Sequence, residues 1–132
     1  MPFIRIALIE GKSPDYLRAL SERVHQALVD TFEVPANDRF QVIDQYQAHE
    51  LLFDRHYMGG PRSDDYVLIS VTAGRVRSAA TKQAFYQRLV ALLGATPGLR
   101  PEDVMVIIHT TGSEDWSFGA GNAGLGAAPN NC

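Results

Sequence analysis

Residues 66–72 read YVLISVT. Polar Ser63-Asp64-Asp65 precede the run and Ala73-Gly74 follow it, while β-branched Val67, Ile69, Val71 and Thr72 fill it, so it reads as a strand. Downstream, Ser78 can cap a helix over residues 79–93, where Phe85, Leu89 and Leu92 share a face. The stretch from Gly94 to Pro101 is expected to break that helix, and Val104 to His109 (VMVIIH) forms a further strand.

The same order stands upstream. Pro2 to Leu8 alternates Phe3, Ile4 and Ile6 with little that breaks a strand, and Glu10-Gly11 ends it. Ser13-Pro14-Asp15 then supplies a capping hydroxyl, a proline at the first helical position and an acid at the positive end of the helix dipole. Leu17, Leu20, Val24, Leu28 and Phe32 make one apolar stripe, Pro35 stops the helix, and Phe40 to Tyr46 (FQVIDQY) is another strand. Between the halves, Gln47 to Asp65 is polar, carries Gly59-Gly60-Pro61, and reads as a long connection with one turn of helix around Leu51 to Phe53.

Strands therefore start at Pro2 and Phe40 in one half and at Tyr66 and Val104 in the other, 38 residues apart each time. The chain is β-α-β twice. Each connection is long enough for a right-handed crossover, which predicts an α/β (α+β) fold of four strands with two helices on one face. The strands read as apolar on both faces, so the face away from the helices is expected to meet another protein surface, most simply in an oligomer.

Length and composition restrict the function. The 132 residues suit one domain, taken as 1–121, with the Gly/Ala/Asn-rich residues 122–132 expected to form a flexible tail. The formal net charge of −3 argues against a nucleic-acid partner, which calls for clustered Lys and Arg. Neither a leader segment nor an apolar run of about 18 residues stands out, so no membrane partner and a cytoplasmic location are expected. The one cysteine, Cys132, permits no intrachain disulfide. His25, His49, His56 and His109 show no HxH or HExxH spacing, which predicts no metal site.

Several residues could carry chemistry. Arg75 and Arg77 stand two apart just ahead of the second helix, so their guanidinium groups can converge beside its N-terminus as a carboxylate or phosphate clamp, or remain two solvated arginines. Asp38, in PANDRF (35–40), is open to reading as a general base or as a local cap. Trp116 and Phe118, in DWSFG (115–119), can line a pocket wall or pack a C-terminal hairpin. Pro2 raises the stakes: with Met1 removed, the chain begins with a secondary amine, and a free α-amino group titrates near about 8. Arg75 and Arg77 nearby favour the neutral amine, a base, whereas Asp38 favours the cation, an acid.

Taken together, these residues resemble the tautomerase superfamily: a proline after Met1, a doubled β-α-β chain and an arginine pair ahead of the second helix. PANDRF (35–40), Arg62-Ser63, RVRS (75–78) and DWSFG (115–119) are most similar to its malonate semialdehyde decarboxylase group. The resemblance implies a homotrimer with a barrel-like centre and a cofactor-independent site around each Pro2. It implies a small carboxylate substrate, a 3-oxo acid: cationic Pro2 polarises its carbonyl oxygen, Arg75 and Arg77 bind its carboxylate, Asp38 holds a water or keeps Pro2 protonated, and Trp116 and Phe118 form the wall. Relatives with this frame instead ketonise enols of 2-oxo acids or hydrate halogenated acrylates, for which Glu114 is a candidate acid. Outside enzymes, the β-α-β-β-α-β order also fits ferredoxin-like and RNA-recognition modules, but YVLISVT offers only Tyr66 as a stacking aromatic.

Overall fold

The computed structural model describes residues 2–124. Its main elements are β1 (Phe3–Ile9), α1 (Pro14–Phe32), β2 (Phe40–Tyr46), β3 (Val67–Ala73), α2 (Ala79–Ala95) and β4 (Val104–Thr110). The sheet order is β2-β1-β3-β4. β1 runs parallel to β2 and β3 parallel to β4, and the halves join where β1 and β3 pair antiparallel, Phe3 opposite Thr72 and Leu8 opposite Val67. This is the doubled β-α-β arrangement.

Side-chain alternation explains the layering. Ile4, Ile6 and Leu8 of β1 and Val67, Ile69 and Val71 of β3 point to the helix side and are fully buried. Leu20, Val24, Leu28 and Phe32 of α1 and Phe85, Leu89 and Leu93 of α2 complete that core, with the Phe32 and Phe85 rings 5.1 Å apart. Each such side chain contributes about 1.5–3 kcal/mol of burial, which fixes both helices on one face.

Both expected caps form. Ser13 Oγ accepts from Tyr16 N at 3.1 Å, and Ser78 Oγ accepts from Thr81 N at 3.1 Å. α1 ends at Glu33, whose left-handed φ of 59° turns the chain so that its N–H reaches the Leu28 carbonyl. α2 runs further than expected, through Gly94 to Ala95. A helical glycine costs only about 1 kcal/mol, and burial of the adjacent Leu93 outweighs it.

The connection 47–66 departs from its sequence reading too. Around Leu51 to Phe53 no helical turn forms; instead a turn at 48–50 is closed by Glu50 N on the Gln47 carbonyl (2.9 Å). Side chains satisfy the backbone that follows. Asp54 Oδ1 accepts from His56 N and Tyr57 N at 2.8 and 2.9 Å, and the Arg62 guanidinium donates to the carbonyls of Asp54, Tyr57 and Met58. Ser63 donates through N and Oγ to the fully buried Asp103, both at 2.6 Å. Gly60 is required there, since a Cβ would lie 2.3 Å from the Arg55 carbonyl oxygen.

The face away from the helices is more polar than expected. Phe40, Val42, Met105 and Ile107 are exposed on the edge strands, yet Arg5 of β1 forks onto Asp44 of the edge strand β2 (3.0 and 2.9 Å), and Ser70 and Thr72 of β3 share the face. The alternation of FIRIALI puts Arg5 on that side, so the face mixes apolar side chains with an ion pair.

Candidate active site

β1 starts at Phe3, one residue later than expected, and Pro2 is buried just ahead of it. Continuing the ladders one step past Phe3 sets Pro2 between Arg39 at the head of β2 and Ala73 at the end of β3. Neighbouring segments therefore bring Asp38 to one side and Gly74-Arg75 to the other. Sequence separation is large; sheet register makes them neighbours.

On the β2 side, Asp38 is only 7% exposed. Its turn is held by Asp38 N on the Pro35 carbonyl (3.0 Å) and by His25 Nε2 on the Ala36 carbonyl (2.8 Å), a contact that puts the ring hydrogen on Nε2. Arg39 reaches back to Ser21 Oγ on α1. The turn is thus anchored from two helical turns of α1, and its aspartate is fixed beside the start of β1.

The β3 side splits the arginine pair. Arg75 is exposed, and its guanidinium bonds to no other side chain or carbonyl among the described residues. Arg77 is half-buried: Nη2 donates to the Phe32 carbonyl (3.2 Å), Nη1 to the Arg75 carbonyl (3.1 Å), and its Cζ lies 4.5 Å from the centre of the Phe32 ring. α1 has no basic residue in its own last turn, so Arg77 supplies the cation its dipole favours there. A cleft of about 260 Å³ lies between Thr31, Glu33, Arg75, Arg77, Ser78 and Thr81, at the positive end of α2. It has the donors to take a carboxylate.

After β4, no strand follows among the described residues, so the aromatic pair builds no hairpin. A short 3-10 turn at Ser113–Asp115 leads to Trp116, whose Nε1 donates to Thr111 Oγ1 at 2.7 Å. Trp116 stacks on Phe118 (5.5 Å, 13°), and Phe118 meets Phe40 at 6.4 Å. Phe40 faces Phe3 across the sheet, so the aromatic row ends beside the strand that Pro2 opens. Glu114 lies exposed in the 3-10 turn. Gly124 N closes onto the Trp116 carbonyl (2.7 Å); the tail expected from 122 onward lies outside the described residues after that point, as does Cys132.

Thr111 sits in no motif that spacing would flag, and the sequence raises His25 only as a metal-ligand type. A larger cavity, about 430 Å³ among Phe53, Tyr57, Met58, Arg62, Tyr66 and Met105, lies at the other end of the sheet, where β3 and β4 begin. Among the described residues, no three His, Cys, Asp or Glu side chains gather closely enough to hold a metal ion, and no helix is long and apolar enough to cross a membrane.

Known proteins share this arrangement. A family described as tautomerase enzyme matches residues 38–119, and a second of the same description matches residues 2–60. A probable tautomerase of Bacillus subtilis (strain 168), YusQ, is 37% identical over 93% of this chain and 97% of its own length. Among solved structures, a malonate semialdehyde decarboxylase superposes with a TM-score of 0.85 at 35% identity, covering 91% of this chain and 92% of that one. A fused 4-OT, a symmetric trimer, shares the fold with a TM-score of 0.77 at 19% identity over 96% of this chain and 98% of its own. With family matches that together run from Pro2 to Gly119 and a relative this similar over nearly its whole length, the chain belongs to the tautomerase family, as an enzyme of that fold.

Proposed function

We propose that this enzyme works without a cofactor, using the Pro2 nitrogen uncovered by loss of Met1, and decarboxylates a small 3-oxo acid such as malonate semialdehyde. The observation that carries the reading is the corner at the head of β1, where the strand register sets Pro2 between the segments bearing Asp38 and Arg75. The likeness to malonate semialdehyde decarboxylase, at 35% identity, supports the choice of substrate.

In this reading Arg75 and the α2 N-terminus bind the carboxylate and turn it out of the plane of the carbonyl. Arg77 adds positive charge while holding the Phe32 and Arg75 carbonyls in place. The protonated Pro2 amine hydrogen-bonds to the carbonyl oxygen. As the C–C bond breaks, its electron pair passes to that oxygen as an enolate, carbon dioxide leaves, and the enolate carbon takes a proton to give the aldehyde. Asp38 keeps Pro2 protonated or holds a water, and Trp116 with Phe118 walls the site. Three copies bring their open sheet faces together, as the symmetric trimer of the fused 4-OT relative suggests, covering Phe40, Val42, Met105 and Ile107.

A second reading, ketonisation of 2-oxo acid enols, is favoured by the description of YusQ as a probable tautomerase. It uses neutral Pro2 as the proton shuttle, so the two readings differ in pH dependence. Decarboxylation by cationic Pro2 falls as pH rises through the amine's value; ketonisation by the neutral amine falls as pH drops below it. Intact mass of untagged protein is expected to lack one methionine. Pro2→Ala is expected to lower kcat/KM for malonate semialdehyde by about 10²- to 10⁴-fold, and full activity in that variant overturns both readings.

A further inference from the structure

We infer that Thr111 is a positioning residue that ties the aromatic wall to the strand beside Pro2, an assignment resting on the reading of that corner as the active site. Thr111 follows β4 directly. Its backbone N and its Oγ1 both donate to the Ala73 carbonyl oxygen, at 2.9 and 2.8 Å, and Oγ1 accepts the Trp116 Nε1 hydrogen at 2.7 Å. A hydroxyl that donates once and accepts once makes a relay with a fixed direction. One end of this relay is the indole; the other is the residue that flanks Pro2 and stands two before Arg75.

The chemistry of tryptophan gives the relay its effect on substrate. Nε1 is the only polar atom of the indole and can only donate, so its bond to Thr111 leaves the ring an apolar face, stacked on Phe118. Substrate groups reaching that wall meet carbon and no donor, which favours small or apolar substituents. The main chain around Trp116 is held separately, by Gly124 N on its carbonyl and by Gly112 N on Asp115 Oδ2 (2.9 Å). Removing the Thr111 hydroxyl therefore frees the indole while the turn keeps its path.

Trp116 is the only tryptophan in the chain, so tryptophan fluorescence reports on this one side chain and its surroundings. Thr111→Val, close in shape but without the hydroxyl, is expected to shift the emission of the full-length protein to longer wavelength and to increase quenching by acrylamide. It is also expected to raise KM for malonate semialdehyde about fivefold with kcat little changed, the size of one lost hydrogen bond. Thr111→Ser, which keeps the relay, restores emission and KM. Should Thr111→Val fold poorly, Trp116→Phe removes the donor instead; it is expected to raise KM similarly, and adding Thr111→Ala to it to raise KM no further. Wild-type emission and KM in Thr111→Val, or a Thr111→Ser protein as impaired as Thr111→Val, overturns the assignment. The fluorescence arm needs no turnover: an altered emission with full activity in Pro2→Ala would leave the relay standing and remove the reading of the site.

Discussion

The two ends of the sheet differ in whether one cation is left unengaged: Arg39 and Arg77 are bonded within the chain, whereas among the described residues the Arg75 guanidinium is not. Where β3 and β4 begin, the larger cavity is bordered by a connection that binds its own charges. Arg62 is bonded to carbonyls, Arg55 to Asp64 at 2.6 Å, Arg100 to the Pro61 carbonyl at 2.8 Å, and Lys12 to Asp65. Asp65 holds the Lys12 ammonium above the usual lysine range, and burial pushes the Tyr66 phenol up, both signs of groups kept in their resting forms at neutral pH. At the opposite end the cleft, between the end of α1 and the start of α2, is smaller and is not lined by Pro2 or Asp38, yet Arg75 stands exposed there at a helix N-terminus. Volume and the proposed site therefore point to different ends. On the proposed reading, what separates the site from the larger cavity is a cation with donors left for a ligand.

Arg75→Ala tests that contrast most severely. It is expected to lower kcat/KM by about 10²-fold or more with the melting temperature little changed, because on the proposed reading a charged hydrogen-bonding partner of the substrate is lost while no internal contact is. Steady-state kinetics alongside thermal unfolding measure both; an active Arg75→Ala protein would erase the distinction between the two ends. Arg62→Ala is the mirror experiment, with a smaller effect of the other kind. Loss of its bonds to three carbonyls is expected to cost about 1–3 kcal/mol in urea unfolding while kcat stays near wild type.

The least perturbing test is pH. The N–H groups of His56 and Tyr57 hold the Asp54 carboxyl below the usual carboxylate range. A depressed value means the ionised form is favoured by folding, so the stabilisation is complete above a pH of about 4 and is lost as pH falls through the folded value. Amide exchange at His56 and Tyr57 is expected to quicken over that acidic interval and to stay slow between pH 5 and 8. Exchange that is independent of pH after correction for its intrinsic rate would mean the loop is held without Asp54.

Much of the architecture was legible because local signals carried it. The stripe from Leu17 to Phe32, the capping serines Ser13 and Ser78 and the period-two alternation of β1 and β3 each mark an element within a few residues. Gly94 misled, since local propensity says nothing about the buried leucine beside it. The site was legible as a set of residue types, not as a set of contacts. Arg75 and Arg77 look alike in sequence, and only the packing of α1 against the end of β3 engages Arg77 with Phe32, 45 positions away. Arg62 and Ser63, marked only by resemblance, prove to be the bonds that close the long connection. Thr111 has no motif at all; its role exists once β4 lies beside β3.

The antiparallel joint between β1 and β3 has one further consequence. Phe3 faces Thr72 as Val67 faces Leu8, so a half-turn about an axis through the sheet carries one half of the chain onto the other. That operation places Tyr66 where Pro2 stands, and the larger cavity where the Pro2 corner lies. Geometry offers two equivalent corners per molecule, but a polypeptide has a single amino terminus. In the second corner the equivalent nitrogen is an amide inside the chain, donating to the Ser63 carbonyl at 3.2 Å, and no processing can turn it into an amine. If the proposed chemistry at Pro2 holds, a fold duplicated in this way is limited to one reactive corner for every two halves.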